Sequence, residues 1–120
     1  MKGFPVILAI VLLAAPGAAQ VAAPPRLSLE QRMLLRCSAA FALVAYRQQA
    51  GDASAQQYPP LKERGSEYFA RASARVMDEA GLDRDAVAEA LRVEAQALLQ
   101  GDTLAAAMPV CLSTLEAAGL

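Results

Sequence analysis

The sequence predicts an all-α protein in which a single domain forms a four-helix bundle. Three observations favour this fold class: alanine is abundant, β-branched residues are few, and apolar residues recur at helical spacing without strand-like alternation. Glycines and prolines divide the chain into four such segments joined by short connections. A chain of this length folds as one domain with one modest core.

The N-terminus has the residue order of a secretory signal peptide. Lys2 precedes an apolar stretch that ends at Ala15, and small residues with a proline follow it. The apolar stretch is about 12 residues long, whereas a membrane span needs about 20. We therefore expect export to the periplasm with cleavage after Ala19 or Ala23 and no stable membrane insertion afterwards; an uncleaved membrane anchor is the alternative. The predicted organisation is a signal peptide, a flexible lead-in and a helical domain, over residues 1–23, 24–27 and 28–120.

Helix 1 is predicted over residues 28–49. Ser28 is a favourable N-cap, Gln31 completes a capping box, and Gly51 ends the helix. One apolar arc faces the core and contains Met33, Cys37, Phe41 and Val44, with Leu34 at its edge. A second arc on nearly the opposite side contains Leu35, Ala39, Ala42 and Tyr46. A helix that is apolar on two sides is either the central helix of the monomer, or it presents the second arc to a partner protein or to a second copy in a homodimer.

Helix 2 is predicted over residues 59–80, after a polar loop over residues 51–58. A pair of prolines opens this helix and Gly81 ends it. Its core face contains Leu61, Gly65, Tyr68, Phe69, Ala72 and Val76. A glycine inside a helix costs about 1 kcal/mol relative to alanine. Gly65 is therefore expected where a neighbouring helix packs closely.

Helix 3 is predicted to follow an Asp83 N-cap and to run to Gln100. Leu82 and Val87 are placed to form a hydrophobic staple across its first turn. Its core face contains Val87, Leu91, Ala95 and Leu98.

Helix 4 is predicted to begin near residues 102–103. One apolar phase continues across Pro109 and contains Leu104, Met108, Cys111, Leu115 and Ala118. A proline at this depth removes a backbone hydrogen bond, so we expect the helix to be kinked or broken there.

The two cysteines, Cys37 and Cys111, are predicted to form a structural disulfide, because an isolated pair in an oxidising compartment is most often bridged. Both lie on predicted core faces, so the bridge would tie helix 1 to helix 4. Closing a loop of this length stabilises a fold by about 4 kcal/mol. A redox-active pair is less favoured because catalytic cysteines usually lie close together in sequence. Two thiolates without histidine provide only half of a zinc site.

The sequence lacks the residues that enzymes most often use. It contains no histidine, and the Ser-x-x-Lys, Gly-x-Ser-x-Gly and glycine-rich phosphate-loop motifs are absent. We therefore predict a protein without enzyme activity, cofactor or metal, and an enzyme that uses a carboxylate such as Glu94 is the weakest alternative. Without Lys2 the chain carries ten basic and twelve acidic residues, a net charge of −2, and it has no basic stripe. Nucleic-acid binding is not expected from this charge pattern.

Glu94 is the residue that interrupts the apolar pattern of helix 3. It lies between Val87, Ala90, Leu91 and Leu98 within the apolar arc. Three interpretations stay open at this point. The carboxylate reaches past the helix edge to water, or it pairs with an arginine such as Arg36 across a helix interface, or it belongs to a ligand pocket.

A set of short motifs extends over most of the predicted mature chain, namely Arg36-Cys37-Ser38-Ala39-Ala40-Phe41, Tyr58-Pro59-Pro60-Leu61, Gly65, Tyr68-Phe69 and Cys111-Leu112. This pattern resembles small exported proteins of sphingomonad-type alphaproteobacteria. The resemblance implies no specific activity, cofactor or site residue. The size, the export and the cysteine pair are also similar to those of the HdeA-type periplasmic acid chaperones, in architecture alone.

These observations together predict a small periplasmic helical protein with a binding or interaction role in the cell envelope. Its partner would be an envelope protein that the sequence does not identify. The second hypothesis is a periplasmic stress chaperone of the acid type, whose disulfide-stapled helices loosen under stress and expose apolar faces.

Overall fold

The computed structural model describes Gly3 and residues 26–120. Its four helices confirm the predicted all-α bundle, and no strand occurs in the described part of the chain. Apart from Gly3, the predicted signal peptide lies outside the described residues, as do residues 24–25 of the lead-in. The elements are α1 (Leu29–Gln49), a short 3-10 helix (Ala55–Gln57), α2 (Lys62–Ala80), α3 (Arg84–Leu98) and α4 (Thr103–Ala117).

The N-termini of α1 and α3 are capped as predicted. The Ser28 hydroxyl accepts a hydrogen bond from the backbone N–H of Gln31 at 3.1 Å, and the Gln31 side chain accepts one from the Ser28 N–H at 2.9 Å. The Asp83 carboxylate accepts from the N–H of Ala86 at 2.8 Å. Each cap satisfies backbone donors that the first helical turn leaves without a partner.

Helix α2 begins at Lys62, three residues later than predicted, so the proline pair precedes it. The side chain of Gln48 explains this boundary. Its amide nitrogen lies within hydrogen-bonding distance of the carbonyls of Ala55, Tyr58 and Pro59, at 3.1, 3.2 and 2.9 Å, and its amide oxygen accepts from the Leu61 N–H at 3.1 Å. The loop is therefore bound to the end of α1 up to Leu61, and the helix starts only after this point.

Helix α1 is the central helix of the bundle and packs against each of the other three. The main core is formed with α2, α4 and the C-terminal end of α3, and its largest fully buried side chains are Phe41, Val44, Leu61, Leu98, Met108 and Leu115. A second buried cluster joins α1, α2 and α3 and contains Leu35, Val76 and Val87. Leu27 of the lead-in and Leu82 pack against this second cluster, as the predicted staple between Leu82 and Val87 requires.

The four residues proposed as a partner face of α1 do not form one exposed surface. Leu35 is fully buried and Ala39 is 6% exposed, because other helices of the same chain pack over them. Only Ala42 and Tyr46 of this set are exposed. Over the N-terminal half of α1, the second apolar arc is therefore buried within the monomer.

The disulfide between Cys37 and Cys111 is confirmed, with 5.1 Å between the two Cα atoms. Both cysteines are fully buried, so the bridge ties α1 to α4 inside the main core. Helix α4 continues as one helix through Pro109, so the expected break does not occur, and the kink stays a prediction.

Helices α1 and α2 pack closely at Gly65. A Cβ atom at this position would lie 3.0 Å from the Cβ of Phe41, which is too short for an unstrained contact. Next to it, the rings of Phe41 and Tyr68 pack edge to face with their centroids 5.1 Å apart. The prediction that a neighbouring helix packs closely at Gly65 is therefore confirmed, and that helix is α1.

Candidate binding site

Glu94 lies between two arginines of the neighbouring helix. One carboxylate oxygen, Oε1, is 3.6 Å from Nε of Arg32, and Oε2 is 3.5 Å from Nη1 of Arg36. The arginines are four residues apart on α1, so both project from one side of the helix toward the same carboxylate. Glu94 itself is only 7% exposed. The pairing of Glu94 with Arg36 is thus present, and Arg32 extends it into a cluster of three charged groups, which we call the ionic cluster.

The ionic cluster carries an excess of one positive charge. The Arg32 side chain is 61% exposed and that of Arg36 is 29% exposed, whereas the Glu94 side chain is 9% exposed. Both contacts are longer than a good charge-assisted hydrogen bond. Within residues 26–120, no side-chain hydrogen bond involves either guanidinium, so their N–H donors remain available to a further acceptor.

An apolar groove of about 640 Å³ opens beside the ionic cluster, and we call it the α3 groove. Its apolar lining comes from the lead-in, from the turn before α3 and from one side of α3, and consists of Leu27, Leu82, Ala86, Ala90 and Val93. Arg32, Glu89 and Glu94 complete the lining. Val93 is 51% exposed although it is a large apolar residue. A volume of this size lies within the range of small-molecule sites.

Glu89 contributes no net charge to the α3 groove. Arg92 binds it through two hydrogen bonds, from Nε at 2.9 Å and from Nη2 at 2.5 Å. These bonds hold the pKa of the Glu89 carboxyl below its ordinary value, so it is ionised and paired at neutral pH. The ionic cluster is therefore the source of uncompensated charge among the groups that line this groove.

A second groove lies between α2 and α3, and Phe69 is one of its lining residues. Phe69 was predicted to face the core, but it is 42% exposed because it lies at the edge of the α2 face that packs on α1. The groove has a volume of about 410 Å³, and its lining includes Ser73, Met77 and Leu91. The Ser73 hydroxyl is buried without a hydrogen-bond partner among the described residues. Arg84 is the charged residue of this lining, and no acidic residue lines the groove with it.

Sequence reasoning identified part of this site. Pairing of Glu94 with an arginine such as Arg36 was one of its three interpretations, and the structure places these two side chains 3.5 Å apart. Sequence reasoning did not assign Arg32 to Glu94, although the spacing of four residues between Arg32 and Arg36 was the available signal. It did not find the contribution of Leu27, because a proline-containing lead-in was read as flexible chain, nor that of Val93, which its helix pattern left outside the core face.

The residues from 26 to 120 contain no cluster of three or more histidine, cysteine, aspartate or glutamate side chains suited to a metal ion. None of their helices combines the length and the apolar character that a bilayer crossing requires. In comparisons with known proteins, the chain matches no family model, no curated protein and no solved structure at a significant level.

Proposed function

We propose that this chain is a small binding protein of the periplasm that holds its ligand or partner in the α3 groove. The observation that carries the proposal is an open apolar groove bordered by a charged cluster whose guanidinium donors make no hydrogen bond within residues 26–120. Apolar walls with a few convergent polar groups are typical of binding sites, since the walls supply affinity and the polar groups fix orientation. The protein acts by binding and not by catalysis, in keeping with the absence of histidine and of catalytic motifs from its sequence.

Export is the second part of the proposal. The N-terminal residue order favours a signal peptide, and the Cys37–Cys111 disulfide is consistent with an oxidising compartment. The test is to express the full chain with its own N-terminus, fractionate the cells and measure the intact mass of the product. We expect an oxidised periplasmic form that begins at Gln20 or Pro24. A full-length product in the membrane fraction would support the uncleaved anchor instead, and a reduced product in the cytosolic fraction would contradict export.

The role of the α3 groove is tested with two matched variants. Val93→Asp places a charge in the groove, and Val110→Asp places the same charge on an equally exposed valine of α4 outside it; the two valines are 51% and 54% exposed. Each protein serves as bait in an envelope extract, and a captured molecule is identified by mass spectrometry and bound again in purified form. We expect the unmodified protein and Val110→Asp to bind it and Val93→Asp to lose it. Equal binding by all three would refute the groove as the site.

An acid chaperone is the second candidate function, and one ion-pair network favours it. Arg75 of α2 binds Glu30 of α1 and Glu79 of α2, each at 2.6 Å, and Gln31 of α1 donates to Glu79 at 3.3 Å. The hydrogen bond from Arg75, followed by that from Gln31, holds the pKa of Glu79 below its ordinary value. Because the folded-state pKa is the lower one, this carboxylate stabilises the fold above about pH 4.5, and its contribution is lost as the pH falls further.

Protonation of Glu79 would weaken the hydrogen bond that it accepts from Gln31 of α1, while the disulfide still holds α1 to α4. The test measures aggregation of a model client with and without the oxidised protein at about pH 3 and at pH 7. Suppression confined to the acidic sample, together with binding of an apolar dye there, would support the chaperone. A client that aggregates equally with and without the protein at both pH values would exclude it.

A further inference from the structure

We infer that the α3 groove binds a single-chain anionic amphiphile of the fatty-acid class, with its alkyl tail along α3 and its carboxylate at Arg32. This inference rests on the proposed function and specifies the ligand of the same site. It follows from three features of the groove: the shape of the apolar strip, the position of the excess charge and the neutralisation of Glu89.

The tail site is a narrow apolar strip along one side of α3. Ala86, Ala90 and Val93 follow one another at spacings of four and three residues, so they share one side of the helix over about 10 Å. The two alanines leave space above the helix backbone, Leu82 lies at the N-terminal end of the strip because it precedes α3, and Leu27 completes the apolar lining. A strip that is long, apolar and floored by small side chains suits an unbranched alkyl chain better than a bulky ring system.

The head site lies at the opposite end of the strip, where Val93 is followed directly by Glu94. Arg32 belongs both to the groove lining and to the ionic cluster, and its guanidinium is largely exposed. A guanidinium binds a carboxylate through two parallel hydrogen bonds, and among the described residues the Arg32 guanidinium makes only the 3.6 Å contact with Glu94. Glu94 already occupies the buried side of the two arginines, so an incoming anion is directed to the exposed side at the mouth of the groove.

Charge complementarity selects an anion over a neutral or cationic amphiphile. Two arginines face a single carboxylate in the ionic cluster, and the other acidic residue of the groove, Glu89, is paired with Arg92. An anionic head would restore neutrality at the cluster, whereas a cationic head would add to the excess charge. The apolar strip and the single charged end together match a ligand with one tail and one head.

The test titrates the oxidised, isotope-labelled protein with decanoate below its micelle concentration and with decanol below its solubility limit, and it follows backbone amide shifts by NMR. We expect shifts confined to the groove, including Leu82, Val93 and Glu94, and tighter binding of decanoate than of decanol. A series from octanoate to dodecanoate should gain at most about fourfold in affinity for each further methylene group that becomes buried.

Matched variants separate the head site from the tail site. Arg32→Gln should weaken decanoate about threefold to fivefold, as expected for an exposed ion pair, and leave decanol unchanged. Val93→Asp should weaken both probes. The controls are Arg84→Gln, which removes an exposed arginine of α3 that does not line this groove, and Val110→Asp; both should bind like the unmodified protein.

Equal affinity for decanoate and decanol, or an Arg32→Gln variant that binds decanoate normally, would overturn the inference. Shifts centred on Phe69 would overturn it as well, because they would assign the ligand to the second groove. A lack of binding by either probe would also refute the amphiphile. The α3 groove would still stand as a binding site if Val93→Asp failed to bind a purified envelope ligand that Val110→Asp bound. Failure of the amphiphile and failure of the groove are therefore distinguishable.

Discussion

The disulfide is expected to supply a large share of the stability of this small domain. Cys37 and Cys111 are 74 residues apart in sequence and fully buried in the main core. The perturbation is the double substitution Cys37→Ala/Cys111→Ala, with chemical reduction of the unmodified protein as a companion measurement. Reduction removes the cross-link without removing a sulfur atom, so it isolates the effect of the bridge from that of packing.

The magnitude follows from the length of the closed loop. For a separation of 74 residues, the chain-entropy relation gives a loss of about 15 cal/mol/K in the unfolded state, which corresponds to about 4.4 kcal/mol at 25 °C. Domains of this size have a total free energy of unfolding of about 5–15 kcal/mol. Loss of the bridge is thus expected to bring the protein close to the threshold of unfolding, and the alanine variant should fall slightly lower because it also leaves a small cavity.

The assay is urea denaturation followed by circular dichroism at 222 nm, under oxidising and reducing conditions. The free energy of unfolding should fall by about 4 kcal/mol on reduction. The dependence on urea concentration should become steeper, because an unfolded chain without the cross-link exposes more surface. A decrease below about 1 kcal/mol with an unchanged urea dependence would refute the reasoning. The cross-link would then not restrict the unfolded chain to the extent that the loop length requires.

Three further substitutions test the packing and the polar contacts. Gln48→Ala should lower the free energy of unfolding by about 2 kcal/mol, because it removes the partner of the Leu61 N–H and of three loop carbonyls; Gln49→Ala, at the exposed neighbouring position, should have little effect in the same urea assay. Gly65→Ala should lower the melting temperature, since the new Cβ would lie 3.0 Å from the Cβ of Phe41. The cost of overpacking, about 1–3 kcal/mol, is expected to outweigh the gain in helix propensity, about 1 kcal/mol. A higher melting temperature would show that α1 and α2 can move apart freely. Glu94→Gln should lower the free energy of unfolding by about 1–2 kcal/mol, less than the loss of a fully buried pair, because its arginines are partly exposed. The loss should be smaller at high salt. An unchanged melting temperature would mean that the ionic cluster does not stabilise the fold.

The helix ends were predictable because their causes are local. The Ser28 cap uses a partner three residues away, as does the cap at Asp83, so sequence spacing alone is sufficient to recognise them. Gly81 ends α2 with a φ of 66°, a left-handed conformation that glycine adopts without strain. The disulfide was predictable for a different reason, because the chain contains only two cysteines and both fall on apolar faces.

The start of α2 was predicted less well because its cause lies elsewhere in the chain. The helix rule placed a proline in the first turn, but the Gln48 amide holds the loop carbonyls and the Leu61 N–H from a position 13 residues earlier. Nothing in local propensity distinguishes Gln48 from the exposed Gln49 beside it. The exposure of Phe69 has a similar origin, since its place at the edge of the α1–α2 contact depends on how the helices are rotated against each other.

The ionic cluster shows how a residue that breaks the sequence pattern acquires a role. An isolated carboxylate on the apolar side of α3 would be costly to bury, and the two arginines of α1 offset that cost by reaching it from the neighbouring helix. A single arginine would have sufficed for neutrality, yet Arg32 and Arg36 both face Glu94, and Arg32 remains largely exposed. The excess charge lies where the apolar side of α3 opens to solvent at Val93, so the cluster that joins α1 to α3 also provides the charged end of the α3 groove.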